Sequence, residues 1–202
     1  RSVLVSNFQI SNSSEVFNLK KTLGLENKTI ISYLGTHGLA HGLRFVLESI
    51  SKISDPELHF LFIGDGAEKQ NLLEYSKNLE SRNFTFLDSV SKRNIPLYIE
   101  LSDYSLVNLK KSDEFKNVIP SKIFENIAMY KPVLLGVEGE SKELIENYVV
   151  GICFQPENKE SFLNAIKDIQ NIDKQLFKVN CNKMLVDFDR NNIAENLIKF
   201  IV

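Results

Sequence analysis

The chain has 202 residues, of which 43% are hydrophobic and 25% are charged, and its formal net charge at pH 7 is −2. This length suits one substantial hydrophobic core and is short for two. The near balance of charge gives no electrostatic reason to expect a nucleic acid or an anionic membrane surface as the main partner. No apolar run approaches the roughly 20 residues that span a bilayer. The composition therefore favours a globular domain and excludes a membrane-spanning or strongly nucleic-acid-binding class.

The two cysteines carry the only compositional hint about compartment. Cys153 lies in a strand-like run and Cys181 in a helix-like run, without the spacing of metal ligands. Such cysteines are more often buried free thiols than disulfide partners, which predicts a reducing compartment, the cytoplasm.

The beginning of the chain resembles a linker. The first residue is Arg1, and residues 1–14 combine a short apolar segment around Val3 with a polar stretch. We therefore expect residues 1–202 to form a single domain of a longer protein, with residues 1–14 as its linker-like start.

The first half of the chain predicts strands that alternate with helices. Apolar, β-branched runs predict strands at 29–34, 58–63, 84–87 and 104–109. Amphipathic runs predict helices at 15–23, 43–53, 67–79 and 91–101. Gly24 is placed to end the first helix, and Pro96 is tolerated only in the first turn of the fourth.

The second half continues the alternation and ends in helices. Strands are predicted at 133–135 and 149–154, and helices at 140–147, 160–169, 174–187 and 192–201. Between them a helix opens after Pro120 and is stopped by Lys131 and Pro132. The alternation predicts an α/β fold, a doubly wound parallel sheet of about six strands with helices on both faces and a helical C-terminal tail. Ligands of such sheets bind at the carboxyl ends of the strands.

A glycine-rich loop follows the first strand. Gly35, Gly38 and Gly42 lie between that strand and the next helix, an order typical of phosphate-binding loops, although the spacing alone is weak evidence. His37 or His41 of this loop can serve as a neutral donor or, when protonated, as a cation. Packing alone explains a loop histidine equally well.

The helix start at Pro120 is the most informative stretch. Proline is tolerated at a helix start, and Ser121 is expected to cap the N–H groups that follow. Those N–H groups, with Lys122 beside them, favour an anion. Glu125 lies one turn further on, where a carboxylate can accept hydrogen bonds from two neighbouring hydroxyls. A phosphate site next to a diol acceptor predicts a nucleotide ligand.

This stretch also carries a family resemblance. The run Pro120-Ser121-Lys122-Ile123-Phe124-Glu125, followed by Ala128-Met129 and Lys131-Pro132-Val133, resembles the donor-site signature of glycosyltransferase family 4. The similar branch builds bacterial surface polysaccharides such as capsule and O-antigen. The resemblance implies a GT-B fold, in which two Rossmann-like domains enclose the active site, and the whole chain resembles the C-terminal domain that binds the nucleotide-sugar.

The resemblance implies a reaction and its partners. A retaining enzyme of this family moves a hexose or acetamidohexose from a nucleotide diphosphate sugar, here more consistent with UDP, to a sugar or lipid-linked acceptor. The acceptor would bind an N-terminal domain absent from this chain, so the chain alone is expected to be inactive. The complete protein would lie in the cytoplasm, with room for peripheral association at the inner face of the membrane through the other half.

The resemblance also implies roles for particular residues. The diphosphate would lie against the glycine loop and nearby cations, the base against backbone atoms, and the ribose on Glu125. The residues concerned are Gly35, Thr36, Gly38, His41, Gly64, Asp65, Ser89, Val90, Lys110, Ser121, Lys122 and Glu125. From its sequence context alone, Asp65 is more simply a helix cap with Gly66 easing the turn. No metal is expected on this reading, because the helix start and side-chain cations would neutralise the diphosphate.

The chain departs from the family pattern at two places. Many members have Gly-Arg and Lys-Gly where this chain has Gly35-Thr36 and His41-Gly42, so the usual diphosphate cations are absent there. The first glutamate of the Glu-x7-Glu pattern is replaced by Asn117. We assign catalytic roles to Lys122 and Asn117, whose amide can bond a sugar hydroxyl but offers no negative charge. Whether Asp113 or Glu114 substitutes is left open by the sequence.

Two alternative functions remain open at this stage. A nucleotide-sugar 2-epimerase shares the fold but needs acid-base carboxylates and histidines that the sequence does not place. A non-catalytic nucleotide-sugar-binding module is consistent with the missing arginine, lysine and glutamate.

Overall fold

A computed structural model of the chain describes residues 13–189. Within them, six parallel strands form one sheet in the order β3-β2-β1-β4-β5-β6. The strands are β1 Thr29–Leu34, β2 Leu58–Ile63, β3 Phe84–Leu87, β4 Tyr104–Asn108, β5 Val133–Gly136 and β6 Gly151–Cys153. The predicted α/β, Rossmann-like, doubly wound architecture is confirmed.

Eight α-helices and three short 3₁₀ segments connect the strands in this part of the chain. The helices are α1 Ser13–Thr22, α2 Leu43–Ile50, α3 Lys69–Lys77, α4 Ile95–Leu101, α5 Ser121–Ala128, α6 Glu140–Tyr148, α7 Lys159–Ile169 and α8 Lys174–Phe188. The 3₁₀ segments are Leu39–His41, Lys92–Asn94 and Asp113–Phe115.

The helices cover both faces of the sheet. Alternate residues of a strand point to opposite faces, so Tyr33 and Phe62 pack in the cluster that includes α2 and α7. Ile30 and Ile63 belong to the cluster on the other face, which α1 and α4 cover. On that same face, α5, α6 and α8 pack over β4 and β5. Because the central strands are covered on both faces, they are nearly continuous apolar runs.

Three predicted boundaries are wrong for identifiable reasons. Val149 was expected in the last strand, but it takes φ 51° and closes α6, so β6 begins only at Gly151. The predicted helix 91–101 divides into the 3₁₀ segment Lys92–Asn94 and α4, which has Pro96 in its first turn. Ser13 and Ser14, assigned to the linker, lie in α1. Residues 1–12 of the predicted linker 1–14 and the whole of the predicted helix 192–201 lie outside the described residues.

Neither cysteine is paired. Cys153 is half-buried in β6 and Cys181 is fully buried in α8. Burial raises the pKa of both thiols to about 12. The reactive thiolate form of both is therefore disfavoured in the folded chain. Among the helices of residues 13–189, none has the length and apolar character needed to cross a membrane.

Candidate functional site

The main candidate site lies where the strand order reverses. β1 and β4 are neighbours, with Ser32 opposite Ser105, although two strands separate them in sequence. The loops after β1 and β4 leave the sheet in opposite directions, which opens a crevice at the carboxyl ends of the strands. A cavity of about 310 Å³ occupies this crevice. Nine predicted site residues line it: Gly35, Thr36, Gly64, Asp65, Ser89, Val90, Ser121, Lys122 and Glu125.

Lys122 supplies the positive charge of the cavity. Its ammonium nitrogen lies 4.5 Å from the centroid of the Tyr33 ring, and it donates no hydrogen bond and forms no ion pair within residues 13–189. Burial lowers the pKa of Lys122 to about 8, against the opposing effect of Glu125. Burying an ammonium with only an aromatic face as its partner costs desolvation free energy, and an anion bound in the cavity would offset that cost.

Gly35 permits this placement of Lys122. The Lys122 ammonium lies against the Gly35 backbone, where any Cβ would overlap it. The glycine therefore brings the cation and the backbone of the loop to the same point of the cavity wall.

Glu125 is the acceptor of the site. It lies one turn after Lys122 on α5, is half-buried, and makes no hydrogen bond to another described residue. The carboxylate and the Lys122 ammonium therefore line the same cavity. The carboxylate can accept hydrogen bonds from hydroxyls, and the ammonium beside it can bind an anion.

The start of α5 differs from the prediction in one detail. Pro120 occupies the N-cap position with extended backbone, and no side chain caps the helix. Ser121 was expected to cap but is instead the first helical residue, and its exposed side chain faces the cavity. The Ile123 N–H donates to the Pro120 carbonyl at 3.2 Å, whereas the N–H groups of Ser121 and Lys122 have no intrahelical acceptor and remain available to a ligand.

The loops after β1 and β2 are joined by backbone hydrogen bonds. The N–H of Gly35 donates to the Ile63 carbonyl at 2.9 Å, and that of His37 donates to the Asp65 carbonyl at 2.8 Å. A Cβ on Gly64 would overlap the Gly35 carbonyl, and one on Gly66 would lie 2.6 Å from the His37 carbonyl oxygen. The two loops therefore form one rigid wall of the cavity.

His37 packs between aromatic rings and is not available as a cation. It is fully buried, with the Tyr33 and Phe86 ring centroids each 5.9 Å from its own. Burial, and then the charge of Lys69, lower the pKa of His37 to about 4. Burial therefore disfavours the alternative in which a protonated His37 contacts phosphate.

Asp65 does not cap a helix. α3 begins only at Lys69, with Glu68 at its N-cap position, and the Asp65 carboxylate instead accepts from the Gly66 N–H at 2.8 Å. The turn is thus wider than predicted, and the exposed Asp65 borders the cavity.

Four predicted residues lie outside this cavity. Gly38 and Lys110 line a neighbouring cavity of about 260 Å³ at the same edge of the sheet. His41 contacts Tyr33, at 5.9 Å between ring centroids, and burial lowers its pKa. Asn117 is exposed in the turn after the 3₁₀ segment Asp113–Phe115.

Sequence reasoning missed several residues of the site. Ile95 and Ile99 of α4 provide an apolar wall, and Ser105 and Asn126 are buried polar residues that also line the cavity. Asn126 donates to the Lys122 carbonyl at 2.7 Å, while its buried side-chain oxygen has no partner among the described residues. The signal for Asn126 was its polarity on an otherwise apolar stripe of α5.

Comparisons with known proteins identify the family to which the chain belongs. The family model of glycosyl transferases group 1 matches residues 16–183. WcaI of Escherichia coli (strain K12), whose name refers to a glycosyl transferase of colanic acid biosynthesis, is 28% identical over 167 residues. That match covers 81% of this chain but only 41% of WcaI, so the chain spans less than half the length of this relative.

Two solved structures share the fold. Anabaena Alr3699/HepE in complex with UDP superposes with a TM-score of 0.78 at 18% identity, over 98% of this chain and 56% of that one. The C-terminal domain of the group 1 family protein LpcC from Francisella tularensis gives a TM-score of 0.68 at 17% identity, over 92% and 96% of the two chains. With its family model matched over most of its length and its fold shared with these proteins, the chain belongs to the glycosyl transferases group 1 family.

Proposed function

We propose that this chain is the donor-binding domain of a retaining family 4 glycosyltransferase that moves a sugar from UDP to a sugar or lipid-linked acceptor. The observation that carries the proposal concerns Lys122 and Glu125 of α5, two charged side chains without hydrogen-bond partners among the described residues. Both line one cavity at the point where the strand order of the sheet reverses. The relatives' names refer to colanic acid biosynthesis and to a complex with UDP, which supports surface-polysaccharide synthesis and UDP as the nucleotide.

In this proposal the chain assists departure of the nucleotide. As the bond between sugar and diphosphate breaks, negative charge grows on the leaving UDP. Lys122 and the free N–H groups at the start of α5 would stabilise that charge without a metal ion. Glu125 would accept hydrogen bonds from the ribose hydroxyls and so fix the nucleotide along α5. Backbone groups at Ser89 and Val90 would hold the base against the apolar wall of α4.

The acceptor is assigned to the remainder of a longer protein. The chain covers 41% of WcaI and 56% of HepE, which leaves room for a second domain in those proteins. We expect the chain alone to bind nucleotide and to transfer nothing. Asn117 would contact the transferred sugar as an uncharged donor and acceptor.

Binding of UDP that depends on Glu125 tests the proposed function. Calorimetric titration of the chain with UDP should give saturable binding, with a weaker response to GDP. Glu125→Ala should weaken UDP binding by about tenfold to a hundredfold, the scale of lost hydrogen bonds to a charged group. The control is Glu143→Ala, which removes an exposed carboxylate from α6, outside the cavity. Equal effects of the two substitutions would contradict the role of Glu125.

The affinity for UDP should also depend on the protonation of Lys122. The pKa of Lys122 is about 8 in the free chain, and a bound diphosphate raises it because it favours the ammonium. Affinity should therefore change little between about pH 7 and 8 and fall by up to about tenfold per pH unit above pH 8. The pKa values of His37 and His41 are lowered, so both rings stay neutral in this range. Titrations between about pH 7 and 9.5 measure the slope, and Lys122→Met should remove it.

An activity assay on the complete protein distinguishes the transferase from the two alternative functions, the epimerase and the non-catalytic module. The epimerase alternative is disfavoured because His37 is buried and His41 lies outside the cavity. The non-catalytic module is kept as a second candidate because Asn117 offers no negative charge. Transfer of labelled sugar from UDP-sugar to a lipid-linked acceptor would support the transferase, while binding without transfer to any such acceptor would support the module.

A further inference from the structure

Lys69 holds together the ends of two strands at the edge of the candidate site. It is the first residue of α3, and only 12% of its side chain is exposed. Its ammonium donates to the Gly64 carbonyl at 2.8 Å, the Leu87 carbonyl at 3.1 Å and the Asp88 carboxylate at 2.6 Å. Gly64 follows β2 directly, Leu87 is the last residue of β3, and Asp88 follows it.

These bonds extend the pairing of β2 and β3 past its regular end. The last paired residues are Ile63 and Leu87, and the Gly64 N–H still donates to the Leu87 carbonyl at 3.2 Å. Beyond this point the described residues show no further backbone pairing between the two strands, and the Lys69 ammonium links the carbonyls of Gly64 and Leu87. Two of the next residues, Ser89 and Val90, face the cavity.

The bonding of Lys69 distinguishes it from Lys122. An ammonium has three donors, and in Lys69 all three are used by protein oxygens. Lys122, by contrast, has no hydrogen-bond acceptor within the described residues. Lys69 is therefore arranged to hold backbone in place, while Lys122 is arranged to meet a ligand.

We propose that Lys69 is a positioning residue that fixes segment 88–90 as the wall against which the nucleoside of the donor binds. The proposal rests on the proposed function for the identity of the ligand. The carbonyl bonds carry the effect, because 98% of the Asp88 side chain is exposed and its ion pair is screened by water. Removing the ammonium leaves the Gly64 carbonyl without this partner and releases the segment that follows Leu87.

The test compares two single variants of the chain. Lys69→Met keeps most of the side-chain volume but removes the donors. Lys77→Met removes an exposed lysine from the last turn of the same helix. Amide hydrogen exchange of residues 84–91 reports on the segment, and calorimetry with UDP reports on binding.

We expect Lys69→Met to speed exchange in residues 84–91 by at least about tenfold and to weaken UDP binding by about tenfold, as loss of buried charged hydrogen bonds implies. Lys77→Met should change neither by more than about twofold. Unchanged local exchange in Lys69→Met, or faster exchange spread evenly over the whole chain, would overturn the proposal. So would faster local exchange with unchanged UDP affinity. Failure of the unsubstituted chain to bind UDP would instead count against the proposed function, while the exchange result would still decide whether Lys69 orders the segment.

Discussion

Replacing Lys122 with methionine should weaken UDP binding by about a hundredfold, which corresponds to roughly 3 kcal/mol. The ammonium is the cation that lines the cavity, and it lies beside the start of α5, where a diphosphate would meet both. Methionine keeps the apolar contact with the Tyr33 ring but removes the charge. Calorimetric titration measures the loss.

The same substitution should not destabilise the free chain. Burial lowers the pKa of Lys122, which means that the folded state disfavours its charged form. Removing an unpaired, desolvated charge should leave the thermal midpoint unchanged or raise it. Lys167→Met, which removes an exposed lysine from α7, is the matched control and should alter neither quantity. If the Lys122→Met chain bound UDP as tightly as the original, Lys122 would not be the cation that binds the diphosphate.

Gly64→Ala should destabilise the chain by about 3–5 kcal/mol, because a large backbone overlap cannot relax without moving a strand end. Gly64 has φ 150°, and its added Cβ would overlap the Gly35 carbonyl oxygen, with the carbonyl carbon at 2.8 Å. The Gly35 N–H is itself bonded to Ile63, so the loop has no free direction in which to retreat. Urea denaturation measures the change.

Gly24 provides the comparison for Gly64. It also has positive φ, at 67°, but no atom lies within 4 Å of its added Cβ. Gly24→Ala should therefore cost only the backbone strain, about 1 kcal/mol. Similar losses in the two variants would mean that strain, and not the contact between the loops, requires glycine at position 64.

The fold was predictable because its signals are local. The run 58–63 is apolar at nearly every position, as expected of a strand covered on both faces, and all six residues of β2 are buried. Val149 was wrongly predicted to lie in the last strand, because a β-branched residue rarely adopts positive φ. In the structure it ends α6, and its N–H donates to carbonyls of the last turn of that helix.

The candidate site was predictable only where side chains follow strand ends or a helix start. Lys122 and Glu125 were found this way because their spacing on α5 fixes a common face. Asp65 and Ser121 looked like caps, but capping depends on where a helix begins, which is the least certain part of a pattern. Lys69 was missed because its partners are mainly backbone carbonyls from two other elements, and no sequence pattern records those.

The most direct test of the donor-site assignment is a crystal structure of this chain with UDP. We expect the diphosphate within hydrogen-bond distance of the Lys122 ammonium and the start of α5, with the ribose hydroxyls on the Glu125 carboxylate. We also expect the base between segment 88–90 and α4. UDP bound in the neighbouring cavity lined by Gly38 and Lys110, with Lys122 and Glu125 still unpaired, would contradict the assignment.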